Sequence, residues 1–253
     1  MDSNNKVERQ KMQERCEIFG VKIEDVEKRL TELGKDGLLV SRFDDDEAGY
    51  KFRKIKYFDV PGLHLNRFYF AMASLILKNV KNVLEIGTGD ALSTATLASL
   101  FPNAQKMTID LPFHDNMYKR WHNKGGPGTQ RGQQRQKRLS RHNITSFRLN
   151  TFFISTLPLP RRFDFILVDG DHVYPQVAGD IMFAYSRIAK GGFIFFHDYY
   201  EISSPNCQVK EAVDWMAKRI PEKLFVFPMG TPPKRQHQKM AFIVKGLMKN
   251  EAT

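Results

Sequence analysis

Two short runs, Asp169-Gly170-Asp171-His172 and His197-Asp198, gather the residue types that can move a proton or hold a divalent ion. A histidine titrates ordinarily near pH 6.5 (about), so His172 can take a proton from a hydroxyl at neutral pH. A metal ion held by carboxylates and imidazoles does the complementary job, lowering the pKa of that hydroxyl. A third run, Glu85-Ile86-Gly87-Thr88-Gly89-Asp90, has glycines that let a ligand approach backbone N–H groups where a helix begins. Position 92 is Leu92, so the three-glycine fingerprint of a pyrophosphate-binding dinucleotide site is not met. Asp110 lies about 20 residues beyond those glycines, where a strand-end carboxylate accepts both hydroxyls of a ribose. Plainer readings stand beside these. Gly87 and Gly89 would merely turn the chain, Asp110 would be solvated, Asp169 would cap a helix, and His172 would only donate a hydrogen bond.

These residues need a scaffold that brings them to one edge. From residue 82 onward strand-like and helix-like segments alternate, the pattern of a parallel sheet covered on both faces. NVLEIG, KMTID, SFRLN, FDFILVD and GGFIFFHD read as five strands, and ALSTATLASLF as the helix after the first. A stripe of Val177, Ile181, Ala184, Tyr185 and Ile188 predicts the helix between the last two. After a helix bearing Val209, Val213, Met216 and Ile220, KLFVFP and KMAFIVKG leave no room for a crossover helix, so they should pair antiparallel. Both acid–imidazole runs then end neighbouring strands at the carboxyl edge, where open α/β sheets bind ligands. Upstream, Ile23, Val26, Leu30 and Leu33 mark one peripheral helix with Gly34 as its C-cap, and Phe68, Ala71, Met72, Leu75 and Ile76 mark another. Residues 35 to 64, mixing Asp44, Asp45, Asp46 and Glu47 with aromatics, suit a substrate-side cover.

The segments VLEIGTGDALST, MTIDLP, FDFILVDGDHVYPQVAGDI and GGFIFFHDYY, in that order, resemble successive motifs of the class I methyltransferases, which depend on S-adenosylmethionine (SAM). The nearest likeness is to the small-molecule branch of catechol, caffeoyl-CoA and macrolide-sugar O-methyltransferases, with the related cephalosporin hydroxylase type; it covers roughly residues 65 to 246. It implies an α/β fold, a seven-stranded Rossmann-like doubly wound sheet of order 3-2-1-4-5-7-6 with the last strand antiparallel. It implies that SAM binds along Glu85, Gly87, Thr88, Gly89, Asp110, Asn150 and Asp169, with Asn150 and Thr151 near the adenine. It also implies His172 as general base and Asp169, His197 and Asp198 as ligands of a divalent metal. Two positions depart from the family. Ala91 stands where many members have a third glycine, and His197 where relatives carry a carboxylate. A nitrogen ligand favours Mn, Fe or Zn over Mg, or leaves His197 to hydrogen-bond the substrate with no metal held. Tyr174, Tyr199 and Tyr200 are placed either against the acceptor or in ordinary packing, and Asp171 and Asp180 as caps or solvated charges.

The chain divides on this reading into a helical cover, residues 1–64, and the methyltransferase domain, 65–253, with a basic insert at 114–142. Its 253 residues carry a formal charge of +11, and the insert alone holds eight Lys or Arg against Asp115. The insert, whose glycine-rich KGGPGTQRGQQRQ reads as a loop, is a candidate lid. Arg120, Trp121, Lys124 and Arg131 are its candidates for binding a phosphate, a carboxylate or nucleic acid, against the reading of a solvated basic face. A small-molecule acceptor, anionic or not, is the first expectation. A nucleic-acid methyltransferase of the same fold, or a hydroxylase-like or non-catalytic binding member, stays open, although the usual Asn/Asp-Pro-Pro-Tyr amine signature is absent. Cys16 and Cys207 are expected as free thiols. With no signal-type apolar core and no long apolar run, a cytoplasmic chain without membrane contact is expected, and homo-oligomerisation is left open.

Overall fold

The computed structural model describes residues 3–36, 38, 66–116, 129–200, 206–228 and 238–249. The chain forms two compact units, Met1–Lys78 with Pro228–Gln238, and Asn79–Phe227 with Lys239–Thr253.

The first unit holds α1 (Ser3–Ile18), α2 (Ile23–Lys35) and α3 (Asn66–Ile76). In α2 the expected stripe of Ile23, Val26, Leu30 and Leu33 is buried. Gly34 is not its cap. The helix runs through it to Lys35, and Asp36 closes it in right-handed conformation, so no left-handed glycine is needed. Helix α1 was not foreseen because it has no continuous apolar face; Met12 and Cys16, one turn apart, are buried. Its Arg9 adds ion pairs to Glu27 at 2.7 Å and Glu24 at 3.1 Å on α2. Most of the expected cover, 39–65, lies outside the described residues, with Asp44 to Glu47 in it.

The second unit is built on seven strands: β1 (Asn82–Ile86), β2 (Gln105–Asp110), β3 (Thr145–Arg148), β4 (Phe163–Val168), β5 (Ile188–Tyr200), β6 (Glu222–Pro228) and β7 (Gln238–Met248). Their order is β3-β2-β1-β4-β5-β7-β6, with the final pairings antiparallel. The first five strands are parallel; Leu84 of β1 sits between Met107 of β2 and Ile166 of β4. Buried on both faces, these strands are nearly continuously apolar, as a doubly covered sheet requires. One face stacks Phe165 on Phe195 at 5.1 Å and Phe195 on Phe242 at 4.8 Å between ring centroids. The other packs Ile166, Ile194 and Phe196 with Val177, Ile181 and Ala184 of α6 (Gln176–Arg187) and Val209, Val213 and Met216 of α7 (Val209–Ala217). Helix α4 (Leu92–Leu100) follows β1, and α5 (Gln130–Arg141) precedes β3; Ala98 and Leu139 join them in a small core.

Within the basic insert, residues 117–128 lie outside the described residues, and with them Arg120, Trp121 and Lys124; the side chain of Arg131 does too. Of the glycine-rich segment, residues 124–136, the described part begins at Thr129 and does not continue as a loop. From Gln130 it is helix, started by Thr129, whose hydroxyl accepts from the Gly132 N–H at 3.1 Å. A glycine one turn inside a helix costs only about 1 kcal/mol, and that local cap offsets much of it. No helix among the described residues is long and apolar enough to cross a membrane. Cys16 and Cys207 are free thiols.

Candidate functional site

The glycine turn is locked by the ends of the strands beside it. Gly87 donates to Ile109 O at 2.7 Å, and Asp169 N donates back to Ile86 O at 2.8 Å. Gly87 has φ 98°, and a Cβ there would lie 1.9 Å from Asp169 O, so no other residue fits. Gly89 follows at φ 51°, and Ala91 at φ 62°, ψ 21° opens α4 in the left-handed region. That geometry suits a glycine at position 91, and alanine is accommodated there under strain. Asp90 caps α4, its Oδ1 accepting from Leu92 N at 3.0 Å. Arg138 of α5 then clamps the turn, donating to Asp90 O at 3.0 Å with its carboxylate 3.5 Å away. The sequence showed Arg138 only as one charge among many.

Several residues expected along the cofactor face inward. Glu85 is 1% exposed, and its Oε2 accepts from the hydroxyls of Thr94 and Thr108. The Thr88 hydroxyl is buried against that of Thr108 at 2.7 Å, so this residue presents only its backbone to the edge. Asn150 caps a 3-10 helix (Thr151–Thr156) that the sequence did not predict; its Oδ1 accepts from Phe152 N at 3.0 Å. Thr151 donates to the buried Asp180 at 2.5 Å, and Gln176 donates to both. Burial pushes the Asp180 carboxyl up to about 6 even against these hydrogen bonds.

Asp110 ends β2 at the edge. Its Oδ1 accepts from Leu111 N at 2.9 Å, and the Gly89 backbone also donates to its carboxylate. Oδ2 lies 3.2 Å from Nη1 of Arg148, the residue opposite it on β3. Burial raises its pKa, while Arg148, these backbone donors and Arg135 act the other way.

The acids and imidazoles of β4 and β5 do converge. His197 Nδ1 lies 3.1 Å from Asp169 Oδ1 and 3.1 Å from Asp198 Oδ2, and His172 Nε2 lies 3.3 Å from the same Asp198 oxygen. At these distances the buried Nδ1 still makes no well-aligned hydrogen bond among the described residues. Burial works against its imidazolium, but Asp169 and Asp198 outweigh that and raise its pKa well above the ordinary value. Asp198 is the converse: burial opposes its ionisation, and His197, His172 and a hydrogen bond from Tyr200 hold its pKa far below the usual range. Asp198 also adopts φ 54°, a strained conformation for a non-glycine residue that turns its carboxylate towards both imidazoles.

One ligand atom from each of Asp169, His172 and Asp198 lies within 4.8 Å of the others, so these three fit a divalent ion by donor type and spacing. His197, expected as a ligand, instead places its ring between the two carboxylates. Tyr200 reaches this cluster, whereas Tyr199 turns inward, donating to Asp214 at 2.6 Å. Tyr174 is exposed. Asp171 is a local cap, accepting from Val173 N at 3.1 Å. The loop carrying His172 is held from α7's side by Gln208, whose N–H donates to His172 O at 2.7 Å while its Oε1 accepts from Tyr174 N at 3.0 Å. Nothing in the sequence marked Gln208.

Residues 84–199 match a family described as a methyltransferase domain. A stretch of 43 residues is 42% identical to an uncharacterized protein of Acanthamoeba polyphaga mimivirus, and it spans 17% of this chain and 20% of that one. Among solved structures, the O-methyltransferase TomG from Streptomyces achromogenes, in complex with SAM, aligns with TM-score 0.52 and 17% identity over 71% of this chain and 79% of its own. An O-methyltransferase from Bacillus cereus in complex with SAH aligns with TM-score 0.53 and 14% identity, over 88% and 91%. A putative O-methyltransferase from Klebsiella pneumoniae aligns with TM-score 0.54 and 16% identity, over 87% and 90%. At these identities the structural likeness is one of fold. The family match covers residues 84–199, just under half of the chain, and together with the sheet order it shows a likeness to methyltransferases at the level of fold.

Proposed function

We propose that this protein transfers a methyl group from SAM to a hydroxyl of a small molecule, with His172 as general base. The observation that carries the reading is the Asp198–His172 pair, 3.3 Å apart, ending the strand next but one to the glycine turn. SAM would supply an electrophilic methyl on its sulfonium, which a hydroxyl attacks well only as its proton leaves. The turn at Gly87 to Gly89 leaves room for a close ligand, and Asp110 would accept the ribose hydroxyls. Asn150 and Asp169 border the same edge, while Glu85 and Thr88 support the turn from inside. Asp198 would orient His172 by accepting from Nε2–H, leaving Nδ1 as the basic nitrogen for the acceptor's proton. His197, cationic between its two carboxylates, keeps Asp198 ionised for that task. The O-methyltransferases of similar fold support a small hydroxylated acceptor. The positive charge of the insert favours an anionic one.

The spacing of Asp169, His172 and Asp198 supports a second arrangement in which a divalent ion is held there and lowers the pKa of the acceptor hydroxyl. His197 would then orient the two carboxylate ligands, and His172 would be a ligand and not the base.

The test is methyl transfer from labelled SAM to a panel of small hydroxylated acceptors, with calorimetry of SAM binding. His172→Ala should lower turnover about 100-fold or more and leave SAM affinity nearly intact. An unchanged rate removes the base assignment, and an absence of SAM binding by the wild type removes the whole reading. Activity abolished by chelator and restored by Mn or Zn assigns the second arrangement.

A further inference from the structure

Strand β4 ends at Val168, opposite Phe196 of β5, so His172 lies four residues past the last pair of that ladder and Asp198 two. The 3.3 Å between their side chains is therefore not set by strand pairing. Two consecutive residues at the start of α7 reach the backbone of both. The Cys207 thiol donates to Asp198 O at 3.5 Å, and the Gln208 N–H donates to His172 O at 2.7 Å. Gln208 Oε1 also accepts from Tyr174 N at 3.0 Å, so this one residue grips the His172 loop at two points. Val209, Val213 and Met216 fix the helix behind it in the core.

A residue at the N-cap position ordinarily spends its side chain on its own helix, and Asn, Asp or Ser does this better than Gln. Gln208 makes no such cap; its longer side chain is spent on the loop after β4 instead. A local preference given up in this way is the pattern expected where position matters more than stability. The bond to Tyr174 N is exposed, so water satisfies both groups when it is lost, and the fold should feel little. Proton transfer is less forgiving, because a misplacement of about 1 Å costs about 100-fold in rate.

From this geometry we infer that Cys207 and Gln208 form a bracket that sets the His172 imidazole against the Asp198 carboxylate, with Gln208 a positioning residue for the proton transfer. The inference rests on the general-base role proposed for His172. Gln208 acts through that ring, by holding the backbone on which it is carried.

The experiment compares Gln208→Met, which keeps the side chain's length and removes its acceptor, with Gln208→Glu, which keeps an acceptor oxygen. Gln208→Met should lower kcat for methyl transfer about tenfold or more, with KM for the acceptor, SAM affinity and the denaturation midpoint nearly unchanged. Gln208→Glu should recover most of that loss. Nitrogen NMR of the imidazole rings needs no turnover; the His172 signals are those missing from His172→Ala. With chelator present at alkaline pH, the wild type should show one His172 tautomer, protonated on Nε2, and Gln208→Met a mixture. Cys207→Ala, which removes the other arm, should shift the spectrum the same way. A wild type that binds SAM but transfers no methyl group fails the proposed reaction, and the spectra alone then judge the bracket. A rate loss that only follows a lowered midpoint, Gln208→Glu as slow as Gln208→Met, or a His172 spectrum untouched by both Gln208→Met and Cys207→Ala overturns the inference.

Discussion

The turn at Gly87 to Gly89 and the cluster at Asp169, His172, His197 and Asp198 occupy the same sheet edge but are held by different forces. The turn is fixed by backbone: hydrogen bonds to β2 and β4, positive φ angles, and a contact with Asp169 O that excludes a Cβ. Its neighbouring side chains, Glu85 and Thr88, spend their polar atoms inside the core. The cluster is fixed by charge, two imidazoles against two carboxylates at 3.1 to 3.3 Å, with Asp198 strained to make it possible. A ligand surface can be shaped by main chain alone, whereas the proton transfer we propose for the cluster needs side chains whose charges hold one another in place.

Substitutions that attack each kind of support separate the two. The largest effect is expected from Gly87→Ala, where the added methyl must displace backbone; loss of more than about 3 kcal/mol in chemical denaturation is expected, with SAM binding lost in calorimetry. A protein as stable as wild type would mean that the turn yields. On the cluster side, His197→Ala leaves Asp169 and Asp198 facing each other, which should cost about 3 kcal/mol at pH 7. A divalent cation that restores part of the midpoint would show that a metal can replace the imidazolium; full stability without one would deny its electrostatic role.

The effect of Asp180 on stability carries a sign. Its folded-state pKa, about 6, is raised by burial from 3.8, so ionisation destabilises the fold: not below pH 3.8, increasingly above it, and fully beyond pH 6. Asp180→Asn keeps an oxygen for Thr151 and Gln176, so its stability relative to wild type should rise between pH 4 and pH 7 by about 2 kcal/mol. A flat difference across that range would place the titration elsewhere. The smallest effect is expected from Ala91→Gly, which relieves a left-handed alanine and should raise stability by about 0.5 to 1 kcal/mol; a loss would mean that this turn is unstrained.

The central strands were legible because each is a short apolar run ending in turn residues, whereas their order came from the resemblance to the methyltransferases and not from the runs themselves. Acids and imidazoles at the ends of β4 and β5 could be placed on one edge by topology alone. Their pairing could not: which carboxylate faces which ring depends on the φ of Asp198 and on the loop held by Gln208. Helix α1 was hidden because Met12 and Cys16 are too few to make a stripe, and the start of α5 because its glycines outweighed Thr129 as a signal. Arg138 on Asp90 and Arg148 on Asp110 were lost in a segment where every basic residue looks alike.

The close approach of Gly87 to the carbonyl of Asp169 ties the loop after β1 to the loop after β4 at their first residues. Any ligand resting on one loop is therefore indexed against groups carried by the other, whatever covers them.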